Sequence, residues 1–553
     1  KIDYPLPDNT VPLIGTAKDN EATSTQVRVS FKHDAVKDEE KTLGYMRLQL
    51  VRSFINTMMG QRLSELTRTP NPPFIFAYSF YGRFTRTKDA YSTIAQAANN
   101  ESIKALNALL TETERMKLFG FTKGEYERAK ADILRGYESR FLDRDKRKNR
   151  ELVYPIIAYF LTNNPNPGIE FDYPFVKSEI QGITLDEINR EAKKYVRDDN
   201  EVITVTGPDK PGITLPVETD IKAVIAAVKS TEILAYADNL EGKKLLDNEP
   251  VPGKVVKETT NTAFGTTEWI MSNGLRVIFK PTDIKEDELL IRGYSEGGVC
   301  QVPDEQVEAA GFLGDVVSQM GVGNFSRTDL NKMMAGKRVS VGIYLSDDQD
   351  VITGRTSPQD LETALQLIYL GFTQPRWNES DYKTWMEKVK ANYINAASEP
   401  RNAFSDSIDV MMTNHHSRGL PTTYKSLDQI TFDKLRTLYT ERFSDPGAFT
   451  FQFVGKINPA EVRSLFEKFL ASLPSISRQE SYKDQGIRPP KGKVKNDFKR
   501  ENKTPRTSVF VDYNGNCGYS ANDRLLGAAL RHILELRYIQ SIREDEGGTY
   551  SVR

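Results

Sequence analysis

The chain has 553 residues, of which 38% are hydrophobic, 10% aromatic and 27% charged. That length predicts roughly three or four domains, and the composition excludes wholesale disorder and fibrous repeats. Lys plus Arg number 75 against 76 Asp plus Glu, a net charge of −1, which argues against nucleic acid or an anionic membrane as the main partner. No run approaches the roughly eighteen apolar residues of a membrane span. Cys300 and Cys517 are the two cysteines; they build no disulfide framework and fit either redox compartment.

The chain opens on Lys1 without a Met or a signal pattern, so more sequence is expected upstream. TSTQVRVSFKHD (23–34) alternates like a strand and leads into an amphipathic helix, YMRLQLVRSFINTMMGQRL (45–63). FTKGEYERAKADILRGYE (121–138) predicts an exposed amphipathic helix, and the basic run RDKRKNR (144–150) reads as a solvated helical face. ITLDEINREAKKYVRDDNEVITVTG (183–207) predicts a helix with Thr184 at its N-cap and Asp186 just inside, then a strand ending in Gly207. EGKKLLDNEPVPGKVVKETTNT (241–262) is Pro-rich, charged and apolar-poor, as a linker is.

The next unit opens with TEWIMSNGLRVIFKP (267–281), where Asn273-Gly274 predicts a hairpin turn. Gly321-x-Gly323 has no acidic ribose partner and is no dinucleotide fingerprint; Thr328-Asp329 is expected to cap the helix after it. Asp347-Asp348-Gln349-Asp350 lacks the Gly and terminal Glu of a calcium loop and reads as a solvated turn. WNESDYKTWMEKVKANYI (377–394) pairs with 121–138, Tyr382 against Tyr126. His415-His416 lies in a polar turn without acidic or Cys company and reads as solvated. ITFDKLRTLYTERFSDPGAFTFQFVG (430–455) repeats 183–207 with one insertion. A second linker covers 475–503. TPRTSVFVDYNG (504–515) and NDRLLGAALRHILELRYIQ (522–540) then repeat the strand and helix of 23–63. The predicted organisation is 1–240, linker 241–265, 266–474, linker 475–503, and 504–553 as the start of a further unit whose remainder is missing. The fold class is α+β: tandem homologous domains, each a mainly antiparallel sheet with helices on one face.

The chain closes on IREDEGGTYSVR, with Arg543 and Tyr550 seven residues apart and Gly547-Gly548 between them. This R-E-x-x-G-x-x-Y pattern, together with the repeats, resembles the insulinase/pitrilysin family of zinc metallopeptidases, especially its long four-domain bacterial members, whose domains have a LuxS/metallohydrolase-like fold. The resemblance covers nearly the whole chain and implies the second domain, the third and the opening of the fourth. It implies that Arg543 contacts substrate backbone carbonyls and that the Tyr550 phenol donates to the scissile carbonyl oxygen. The physical basis is a fixed fork of donors in the first case and a donor to a developing oxyanion in the second. The two glycines would turn Tyr550 back toward the chamber wall.

The family's metal motif is H-x-x-E-H on a helix. His33, His415, His416 and His532 are the four histidines, and none sits in it. Laid on EAAGFLGDVVSQMG (308–321), the motif falls on Gly311, Gly314 and Asp315, which cannot hold zinc. The first unit matches Arg543 and Tyr550 with Thr67 and Phe74, or in the next register with Arg68 and Ile75, so it is expected to be structural. Zinc is therefore expected in the parent enzyme on a domain absent from this chain. The expected partners are peptide substrates and the missing N-terminal catalytic domain or a zinc-bearing chain, with no nucleic acid and no membrane span. The expected activity is that of a zinc endopeptidase cleaving peptides or small unfolded proteins in a closed chamber, with this segment alone inactive. The rival is a non-catalytic subunit beside a separate zinc-bearing chain. A bacterial periplasm or envelope location follows from the resemblance alone.

Overall fold

The computed structural model describes residues 4–552 except 239, 241, 242, 397, 398, 477, 501–504, 517 and 519. The first unit runs β1 (Leu13–Asp19), β2 (Thr25–Asp34), α1 (Leu43–Leu66), β3 (Phe76–Arg83), β4 (Lys88–Ala97), α2 (Ser102–Phe119) and α3 (Lys123–Leu142). It continues through α4 (Asn149–Thr162), α5 (Ile169–Gly182), α6 (Leu185–Tyr195), β5 (Glu201–Pro208) and α7 (Glu218–Ser230). The second unit holds β6 (Val255–Asn261), β7 (Thr266–Met271), β8 (Arg276–Pro281), β9 (Leu289–Glu296), α8 (Val307–Met320), α9 (Arg327–Met333), β10 (Val339–Leu345) and β11 (Gln349–Thr356). It ends with α10 (Leu361–Thr373), α11 (Glu379–Ala396), α12 (Pro400–Met412), α13 (Phe432–Arg442), β12 (Thr450–Gly455) and α14 (Pro459–Phe469). One more helix, α15 (Ala521–Tyr538), follows.

The two sheets share one plan. The first has the order β1-β5-β2-β4-β3 and the second contains β8-β12-β9-β11-β10. In each, the first pair is parallel (β1 with β5, β8 with β12) and the other pairs are antiparallel. The fold is thus α+β with mixed, mainly antiparallel sheets. The second sheet adds an edge hairpin, β6-β7, and β6 falls inside the span read as a linker.

Alternation sets which face of each sheet is buried. Val27, Val29 and Phe31 of β2 share a core with Tyr91 and Ala95 of β4. Onto it α1 lays Leu50, Val51, Phe54, Ile55, Met58, Met59 and Leu63, a stripe at three- and four-residue spacing. In the second unit Phe451 and Phe453 of β12 meet Val277 and Phe279 of β8 under α8, α10 and α14. Gly293 makes room there, since a Cβ would lie 2.6 Å from the Phe451 ring. Thr184 and Thr431 cap α6 and α13 by accepting from the Glu187 and Lys434 amides, as read from the sequence. The Asn273-Gly274 turn also forms between β7 and β8, with Gly274 at φ +89°.

Three readings change. RDKRKNR is mostly a turn: Arg144–Lys146 is a short 3₁₀ piece and α4 starts at Asn149. The cap of α9 is Ser326, which exchanges hydrogen bonds with Asp329, rather than Thr328. Residues 505–515 form no strand, and Val509, Phe510, Val511 and Tyr513 are exposed. A strand exists only against a partner edge, and none of the described strands pairs there.

The two units meet along a polar seam. The Arg135 guanidinium on α3 lies 2.7 Å from Asp287, with both side chains almost fully buried. The Gly336 amide donates to Asp132 at 2.6 Å and the Glu286 amide to Asp143 at 2.9 Å. Lys332 reaches both Glu65, at 3.0 Å, and the Tyr236 hydroxyl, at 2.7 Å. Burial and the neighbouring Glu65 carboxylate push the Tyr236 phenol well above its ordinary value.

Candidate functional site

The hook that carries Arg543 and Tyr550 is built by local rules. Ser520 caps α15, accepting from the Asp523 amide at 3.0 Å while its hydroxyl donates to the Asp523 carboxylate. After Tyr538 the helix widens into a π-helical turn, Ile539–Asp545, that includes Arg543. Gly547, at φ +60°, stops it, and the Gly548 amide closes back on the Ile542 carbonyl at 2.9 Å. Only Gly547 needs the left-handed conformation; Gly548 does not. The chain then turns out to Tyr550, whose side chain is 93% exposed. Arg543 is half-exposed and keeps only a loose pairing with Glu544, at 3.5 Å. The structure therefore puts the two groups on one solvent-facing hook, buried in no core and bordering no described cavity.

The equivalent helices of the other units carry neither this Arg/Tyr pair nor a zinc motif. In the first unit Thr67 ends α1 and Phe74 is core, while Arg68 bonds back to Ser64. In α8, Gly314 sits so close to β10 that a Cβ would lie 2.3 Å from the Ile343 carbonyl oxygen. That position is occupied by backbone packing and has no room for a catalytic carboxylate. Gly311 and Asp315 face solvent. Zinc does not fit here, and among the described residues no three His, Cys, Asp or Glu side chains gather as a metal site needs. His415 adopts φ +60° in a turn and His416 accepts from the Arg418 amide, so both serve the loop.

One site was misread. Asp347 and Asp348 are exposed, but Asp350 is fully buried. It receives two hydrogen bonds from Arg442, at 2.9 and 2.8 Å, and one from Arg478, at 3.1 Å. Arg442 also pairs with Glu480 at 2.5 Å, and the Lys483 amide and the Gln485 side chain donate to the Cys300 thiol and carbonyl, which fastens residues 478–485 over the end of the second sheet. No spacing rule links residues 92 apart in sequence. The one available signal is that Arg442 replaces Tyr195 when the two repeats are aligned.

Comparison with known proteins extends this picture. Residues 429–553 match the family described as "Peptidase M16 inactive domain". The zinc protease PQQL-like protein of Arabidopsis thaliana is 23% identical over 85% of this chain and 44% of its own length. The probable zinc protease PqqL of Haemophilus influenzae is 21% identical over 100% of this chain and 59% of its own. PqqL of Escherichia coli, 21% identical over 83% of this chain, is described as a periplasmic protease. A mutant of the ferredoxin protease FusC, solved with Arabidopsis ferredoxin, superposes with a TM-score of 0.54 at 16% identity, over 88% of this chain and 54% of that one; this likeness shows the fold. The chain thus spans about half the length of these relatives. Over residues 429–553 and in these relatives the chain is similar to M16 peptidases, the family that the repeats and IREDEGGTYSVR resemble.

Proposed function

We propose that this chain is the non-zinc part of a zinc-dependent endopeptidase that cleaves peptides or small unfolded proteins inside a closed chamber. In this reading it supplies chamber walls, and the Arg543/Tyr550 hook grips the substrate. The observation that carries the reading is the hook itself: a guanidinium and a phenol held on one turn, without a strong internal partner, in a chain whose relatives are named zinc proteases. Arg543 would bind substrate carbonyls, and Tyr550 would donate to the scissile carbonyl oxygen as it gains charge. The metal would belong to a catalytic unit outside this chain, or to a partner chain. Apolar side chains without cover on α4, at 509–513 and on residues 525–542 support such a neighbour. The proposed division, 1–240 and 266–474 as second- and third-domain-like units and 504–553 as the opening of a fourth, rests on the shared strand order and the repeats. A periplasmic or envelope location goes with the same proposal.

In the complete protein, Tyr550→Phe is expected to lower kcat roughly ten- to a thousandfold with KM little changed, measured on a quenched peptide. Unchanged kcat would remove the hook from the chemistry. The chain alone with zinc is expected to leave the peptide intact; chelator-sensitive cleavage by it would overturn the division of labour.

The second reading is a non-catalytic subunit beside a separate zinc-bearing chain. Gly314, packed against backbone where a catalytic carboxylate would stand, fits this reading as well as the first, since both place the metal outside this chain. Adding a zinc-bearing chain in trans separates the two: activity restored only by a distinct gene product supports the subunit.

A further inference from the structure

A cavity of about 830 Å³ opens where the two units and the segment joining them meet. Its floor is apolar: Leu246 of the joining segment, Met333 and Met334 at the end of α9, and buried Phe469 of α14. Its rim is cationic. Lys123 at the start of α3, Lys243, Lys244 and Lys337 line it, and none of the four makes an ion pair among the described residues. Among the described residues the Lys337 ammonium donates to the Thr363 hydroxyl, at 2.7 Å.

The acidic lining does not balance this charge. Asp238 is taken by Arg128 at 2.7 Å and Lys332 at 3.8 Å, and Glu249 by Lys468 at 2.7 Å. Gly124 fixes the first of these arrangements, because a Cβ there would fall 2.3 Å from the Asp238 carboxylate. Glu127 and Asp247 remain against the four lysines. A cavity of this size lies in the range of small-molecule sites, roughly 300–1,000 Å³. Lysine ammonium groups on flexible stems suit a carboxylate or phosphate as point charges, while their methylenes extend the apolar wall.

We infer that this cavity binds an organic anion, with an apolar body against Leu246, Met333 and Met334 and a carboxylate or phosphate head among Lys123, Lys243, Lys244 and Lys337. The ligand would touch both units and so favour the arrangement in which they enclose it. The site is independent of peptidase activity.

Isothermal titration of the chain tests it with three probes that share one alkyl body: octanoate, octyl phosphate and uncharged octanol. Octanoate or octyl phosphate is expected to bind at least tenfold more tightly than octanol, and the tighter of the two names the head group. Lys243 and Lys244 are exposed, so Lys243→Ala with Lys244→Ala leaves the fold intact and should weaken that probe at least tenfold. Lys243→Arg with Lys244→Arg should keep its affinity within about threefold. Filling the floor with Met333→Trp should abolish binding while the charges remain. Failure of both anions to bind, equal affinity for octanol, or unchanged affinity in the alanine variant would each overturn the proposal.

Discussion

Lys388 on α11 shows what the packing of three elements does to a single charge. Burial is the larger cause, and the neighbouring Arg68 guanidinium the smaller, that bring its ammonium down from 10.5 to about 8. Arg68, at the end of α1, is itself lowered by burial and by Arg327 at the start of α9. Glu65 is the acid near Arg68, and Tyr236 and Lys332 already hold it. Three cations therefore share a half-buried place with little compensation, which disfavours the charged form. A lysine whose folded value lies below its unfolded one penalises the folded state below about pH 8, and the penalty fades as pH rises toward 10.5. Lys388→Met is thus expected to raise the thermal midpoint at pH 7, with the gain shrinking through pH 9 and 10. A loss of stability at pH 7 would show that the ammonium is well accommodated. Sequence offers no sign of this cluster, because its members lie on elements whose adjacency is set by the tertiary fold. The same limit hid Asp350 within what read as an acidic turn. The helix and the Gly547 turn that flank Arg543 and Tyr550, by contrast, were legible because both are local.

Among the elements, the repeat is written most clearly in two tyrosines. The Tyr126 hydroxyl on α3 donates to the Ile183 carbonyl at 2.8 Å, and the Tyr382 hydroxyl on α11 donates to the Ile430 carbonyl. Ile183 and Ile430 are the first residues of the two repeated segments, so each copy ties its long helix to the strand-bearing segment in the same way. Tyr126→Phe and Tyr382→Phe are each expected to cost about 1 kcal/mol, the net worth of one such hydrogen bond, read by urea unfolding. A cost near zero would mean water replaces the carbonyl at no loss. The repeats, the Thr184 and Thr431 caps and the Asn273-Gly274 turn were readable because each depends on a few neighbouring residues. Strand β6 was not: Lys257, Glu258, Thr259 and Thr260 are exposed on an edge strand, and the polar composition of an edge resembles that of a linker. Residues 505–515 show the converse, since alternation marks a segment fit for a sheet without supplying the partner edge.

Across the whole molecule, the two units are joined by charge and hydrogen bonds while the large apolar surplus lies elsewhere. Helix α4 is apolar nearly all round, and Tyr154, Ile156, Tyr159, Phe160 and Leu161 are all exposed, Phe160 by 83%. Its backbone is nevertheless well kept: Pro155 frees the Glu151 carbonyl, and the Arg147 guanidinium takes it at 3.2 Å. A helix with that surface is ordinarily covered, and in a chain half the length of its relatives the proposed cover is the zinc-bearing unit. The chain by itself is therefore expected to self-associate as concentration rises, by sedimentation velocity. Ile156→Glu with Phe160→Glu should suppress this association. Both side chains face solvent, so the unfolding free energy should change by no more than about 1 kcal/mol. The same pair of substitutions should weaken capture of a zinc-bearing unit supplied in trans at least tenfold. A chain that stays monomeric at every concentration and captures that unit equally well with and without the substitutions would show that α4 is not the contact.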